Sequence, residues 1–138
     1  MDTSFNDLRK LLLLNKEVNF KIKQIGHDRK FAGEEYFPLM KKAKFSIVDQ
    51  PQLYYLKSQG FRHIEKAAID GKLFYLHSTA YEYCVQNVRA QAGTDDAMQY
   101  EKIDAHHRID LFDASVFACI RMIKYGEKRK KAQSWFGE

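Results

Sequence analysis

The sequence predicts an α/β domain built on a short, largely parallel sheet with helices on its flanks. Three observations carry that expectation. Val18 to Ile25, VNFKIKQI, alternates apolar and polar residues with the period of two that a half-buried strand requires. Strand-like and helix-like stretches then alternate along the chain, the pattern of βαβ units. Finally, Arg108 to Lys124, RIDLFDASVFACIRMIK, is apolar on nearly every side after its first turn, as a helix in the middle of a domain is.

Taken in order, Ser4 or Asn6 can cap a short helix through Leu8, Leu11, Leu12 and Leu14. The Val18–Ile25 strand follows and Gly26 ends it, leaving His27 and Asp28 at its carboxyl end. Arg29 to Ala43 has helical spacing in Phe31, Tyr36, Phe37 and Met40, made irregular by Gly33 and Pro38. Lys44 to Val48 is a second short strand, stopped by Gln50-Pro51. Gln52 to Asp70 is helical with Leu53, Leu56, Ile64, Ala67 and Ala68 inward; Gly60 is its weak point and Gly71 its C-cap. Lys72 to Leu76 reads as a third strand or an extended arm. Thr79 to Val88 is a helix with Ala80, Tyr83, Cys84 and Asn87 on one side. Gly93 to Asp96 is a turn whose flanks can pair as a hairpin. The long apolar helix comes next, and Gly126 is expected to end it ahead of a basic tail, residues 124–138.

A chain of 138 residues, 45% apolar and 30% charged, is one soluble globular domain, here residues 1–123, with that tail appended. The net charge of +5 permits contact with a polyanion. Cys84 and Cys119 form no CxxC pair and read as reduced core residues. No apolar run reaches the roughly 20 residues that span a bilayer, and the N-terminus has no secretory h-region, so a cytoplasmic protein without a membrane partner is expected. HExxH, the zinc spacings, a serine elbow and the phosphate-cradling GxxxxGK[ST] are all missing from the sequence.

The segments FKIKQIGHDRKFAGEEYF, QPQLYYLKSQGFRHIEKAAIDGKLFYLH, YEYCVQNV and RIDLFDASVFA, in that order, resemble the C-terminal part of the nuclease domain of tailed-phage large terminase subunits. That family has a strand ending in a hydrophobic-Gly-aromatic-Asp turn, a glutamine-bearing segment and a long helix ending in Gly-Lys-Leu-x-x-His. An Asn-Val step follows, then a Lys/Arg-Ile-Asp before an alanine-rich helix. The similarity covers residues 18–123 and departs at His27, where the family carries an aromatic residue.

The resemblance implies a partial RNase H-like fold that lacks the family's first strands, and hence a chain that begins partway through a larger domain. It implies a DNA endonuclease that hydrolyses phosphodiesters with two Mg²⁺ or Mn²⁺ ions about 4 Å apart, held by hard carboxylate ligands. Asp28 matches the second metal carboxylate and Asp110 the last; both are the expected catalytic residues. Asp113, one helical turn beyond Asp110, is a further metal candidate, or a residue that caps the helix start. The family's first carboxylate lies upstream of anything present here, so activity is expected only when upstream sequence or a partner chain completes the site. His27, Arg29, His106, His107 and Arg108 flank the two aspartates and are candidate DNA contacts, as are Lys128, Arg129, Lys130 and Lys131 of the tail. Each also reads as a solvated charge. The implied partners are double-stranded DNA and the terminase ATPase domain or remaining chain, with the portal protein (through Trp135-Phe136) and the small terminase subunit behind them. The implied location is the cytoplasm of a bacterial host. A non-catalytic DNA- or portal-binding module is the competing reading, and a resolvase-like enzyme a third.

Overall fold

The computed structural model describes residues 21–28, 30, 36–93 and 97–136. Strand β1, Ile25–His27, pairs in parallel with β2, Ile47–Asp49, and helix α1, Tyr36–Lys42, lies between them in the chain. The register sets Ile25 against Ile47, Gly26 against Val48 and His27 against Asp49. Pro38 stands in the first turn of α1 as described, where a missing amide hydrogen costs least. Lys41 and Lys42 occupy its last turn, favourable to the dipole. Lys44 at φ 66° turns the chain out of the helix and into β2.

Helix α2, Tyr54–Ile69, ends where Gly71 adopts φ 65°. Its amide bonds Ala68 O at 3.1 Å and the Lys72 amide bonds Ala67 O at 2.8 Å, closing the last turn as the glycine C-cap predicts. Helix α3, Thr79–Gln86, starts at Ser78, whose hydroxyl accepts the Tyr81 amide at 3.2 Å. Strands β3, Val88–Ala92, and β4, Met98–Lys102, form an antiparallel hairpin, with Arg89 and Glu101 ion-paired across it at 2.6 Å. Helix α4 runs from Asp110 to Phe136.

The core gathers where α4 crosses α2 and the hairpin. Val116 and Ile120 are wholly buried, with Leu56, Phe61, Ile64, Cys84, Tyr100, Ile109 and Phe112 around them. Phe61, Tyr100 and Phe112 form an aromatic trio with centroids 5.2 to 6.1 Å apart. Gly60 lets the two helices close: a Cβ there would sit 2.8 Å from Val116 O. Asn87, also buried, ties the hairpin to the start of α4. Its Nδ2 donates to Arg108 O at 3.0 Å and its carbonyl accepts the Ile103 amide at 2.9 Å.

The molecule is mixed α/β; three points differ from the sequence expectation and one decides between its alternatives. The pairing is split between a parallel and an antiparallel two-stranded sheet, because β3 and β4 are joined by a short turn that only antiparallel strands allow. The first strand is short among the described residues: in the parallel register residues 21–24 fall opposite 43–46, where Lys44 is still turning the chain out of α1. Lys72–Leu76 is the extended arm, with Phe74 87% and Leu76 92% exposed. Gly126 does not end α4, which continues through the basic stretch, so the expected tail of residues 124–138 is helical to Phe136. The Leu8–Leu14 helix and the Val18–Phe20 part of the first strand lie outside the described residues. No helix among the described residues is long and apolar enough to cross a membrane.

Candidate functional site

The parallel pair brings two carboxylates together at its carboxyl end. Asp28 follows β1 directly and Asp49 closes β2, opposite His27 in the register. Asp28 Oδ1 accepts the Lys30 amide at 3.0 Å, a local turn that fixes the side chain. Its Oδ2 is buried and has no hydrogen-bond partner among the described residues. Asp28 and Asp49 line an open pocket of about 440 Å³ with Lys30, Pro51, Gln52 and Leu53. Ligands of open α/β sheets bind at this end of the strands, where the loops diverge. Hard oxygen donors beside a lysine suit a divalent cation with a phosphate next to it.

Asp110 stands elsewhere in its bonding. It opens α4 with its side chain 70% exposed, and its nearest charge partner is Arg108 at 4.0 Å. Among the described residues no three histidine, cysteine, aspartate or glutamate side chains converge closely enough to hold a metal ion. Among the described residues Asp28 and Asp49 line one pocket, and Asp110 is not among its lining residues.

Asp113 faces inward. It accepts a short hydrogen bond from the Tyr100 hydroxyl, and Lys57 Nζ lies 3.3 Å from its Oδ1 and 4.8 Å from the Tyr100 ring centroid. Burial, and then the Asp113 bond and charge, push the Tyr100 hydroxyl far above the usual tyrosine range. What Asp113 does here is join α4 to α2 and β4.

Of the expected DNA contacts, His27 is partly buried at the end of β1, and Arg29 lies outside the described residues. His106, His107 and Arg108 precede α4 in a loop organised by Asp104. That carboxylate accepts the amides of His106 at 2.8 Å and His107 at 3.1 Å and lies 2.6 Å from His107 Nδ1. The His107 contact first, and then the two amides, hold Asp104 below the usual carboxylate range. Lys128, Arg129, Lys130 and Lys131 are all exposed on the last turns of α4.

Sequence reading missed Asp49, because the second strand was expected to end at Val48. The signal was available: an acid directly after a strand in a parallel pair sits at the ligand-binding end. Comparison of this chain with family models, with curated proteins and with solved structures finds no match.

Proposed function

We propose that this chain is the nuclease portion of a tailed-phage DNA-packaging terminase and, once completed by upstream sequence or a partner chain, cleaves double-stranded DNA by metal-assisted phosphodiester hydrolysis. The observation that carries the reading is Asp28: a carboxylate at the end of β1, one oxygen fixed by the Lys30 amide, the other buried and unengaged among the described residues. That position is the one the terminase resemblance gives to a metal ligand. Asp28 and Asp49 are the residues that would hold Mg²⁺ or Mn²⁺, with Asp110 as the family's last ligand and further donors from outside the described residues. Held there, such an ion would activate water for in-line attack and stabilise charge on the leaving oxygen. Lys30 and Arg108 would orient the phosphate. The rest of the terminase, the portal and the small subunit are the proposed partners, in the host cytoplasm.

Nicking of supercoiled plasmid in Mn²⁺, with calorimetric Mn²⁺ titration alongside, tests this. The expected result is Mn²⁺ binding by this chain that disappears in Asp28→Asn and weakens in Asp110→Asn, with nicking that follows the same order once upstream sequence or a partner chain completes the site. Nicking unchanged in Asp28→Asn would overturn the reading. The exposure of Asp110 favours a second reading, a module that binds DNA or portal without cutting. DNA binding with no nicking and no Mn²⁺ heat would select it.

A further inference from the structure

Helix α4 extends beyond its packing partners among the described residues, and its charges there are ordered along the helix. At 100° and 1.5 Å per residue, Arg121, Lys124, Lys128, Lys131 and Trp135 fall within an arc of about 80° and a length of about 21 Å. Arg129 and Lys130 lie about 120 to 140° from the middle of that arc. The sequence displays a basic cluster; the unbroken helix through Gly126 turns part of it into a line.

The line is rooted against β1, the strand that Asp28 follows. The Arg121 stem lies against Gly26 of β1, its Cγ 2.9 Å from where a Cβ on that glycine would be. Gly26 is two residues before Asp28. Arg121 Nε is buried with no hydrogen-bond acceptor among the described residues, so the root of the line holds an unmet donor. Outward from there Lys128 and Lys131 are exposed, and Trp135 is 85% exposed. Glu127, on the flank of the stripe and 3.7 Å from Lys124, is the sole acid between Ala114 and Phe136.

We infer that this stripe is a phosphate-tracking surface for duplex DNA, running out from the strand that bears Asp28. Evenly spaced cations on a rigid rod match a regular row of phosphates, whose neutralisation releases counterions. An anionic membrane is a poorer fit, because residues 127–134 carry no apolar face to enter one. The inference rests on the reading that this chain acts on DNA, and it is independent of whether the chain cuts.

The test is anisotropy of a labelled 30-bp duplex against salt, for the wild type, for Lys124→Gln/Lys128→Gln/Lys131→Gln and for Arg129→Gln/Lys130→Gln. Trp135 is the only tryptophan, so its emission reports occupancy of the stripe directly. The triple variant is expected to lose about 2 to 3 from the log–log salt slope, at about 0.9 per phosphate contact, and the double variant less than 1. Trp135 emission should change on adding duplex to the wild type and return at high salt. Duplex binding by the wild type with equal losses in the two variants, or with a silent Trp135, would overturn the stripe and leave the DNA reading standing. No duplex binding by the wild type would overturn both, and binding to anionic vesicles instead would reassign the surface.

Discussion

Tyr100 donates its hydroxyl hydrogen bond to Asp113, thirteen residues further along the chain, across the seam between β4 and α4. Lys57 of α2 reaches the same carboxylate oxygen, so one acid satisfies two otherwise uncompensated groups. Tyr100→Phe should cost about 1.5 to 3 kcal/mol in urea unfolding, the range for a bond to a charged partner. Asp113→Asn keeps an acceptor and should cost less than Asp113→Ala, which strands the buried hydroxyl. Equal losses for the two Asp113 variants would show that the hydroxyl has another partner.

The same pair predicts an alkaline limit. The folded Tyr100 hydroxyl is pushed up by burial and by Asp113, whereas in the unfolded chain a tyrosine ionises near 10. A raised folded value means the contribution is complete below about pH 10 and is lost as pH rises beyond it. Unfolding free energy measured from pH 8 to 11 should therefore fall more steeply for the wild type than for Tyr100→Phe.

Two glycines in helices should respond in opposite directions. Gly60→Ala places a Cβ 2.8 Å from Val116 O and 2.9 Å from Ile120 Cγ1, which α2 and α4 can only relieve by separating. A net loss of about 1 to 3 kcal/mol is expected despite alanine's better helix propensity. Gly126→Ala meets nothing within 4 Å among the described residues and should gain about 0.5 to 1 kcal/mol. Parallel thermal unfolding of the two variants is a sufficient check.

The loop before α4 should loosen in acid. Asp104 is held low by His107 and two backbone amides, so its contacts are complete above the unfolded carboxylate value of about 3.9. They are lost as pH falls through the depressed folded value. Amide exchange at His106 and His107, normalised to intrinsic rates, should accelerate over that interval in the wild type. In Asp104→Asn it should already be fast at neutral pH.

Local signals fixed the helices well. Gly71 and the Leu56–Ile64 spacing place α2, and the start read at Thr79 places α3, within a few residues, because caps and apolar periodicity act over a turn or two. The hairpin was readable from Gly93 onward for the same reason. What escaped were consequences of distant packing. Gly126 signals a helix end in isolation, yet α4 passes through it. Leu53 and Ala68, read as inward, are exposed, since which side of a helix is covered depends on its neighbours. At the site, Asp28 was visible from its turn, whereas Asp49 became a neighbour only once the register paired the strands. By spacing alone Asp110 and Asp113 share one face of the first turn. The fold divides them, turning one to solvent and the other to Tyr100.

The central position of α4 also has a consequence in time. Val116 and Ile120 are the two most deeply buried apolar side chains, and Leu56, Phe61 and Ile64 have nowhere to settle without them. During synthesis at roughly 5 to 20 residues per second, about 3 to 13 s separate the appearance of Leu56 from that of Ile120. Over that interval the apolar face of α2 has no permanent cover, and the nascent chain depends on chaperones or on its own high charge to stay in solution.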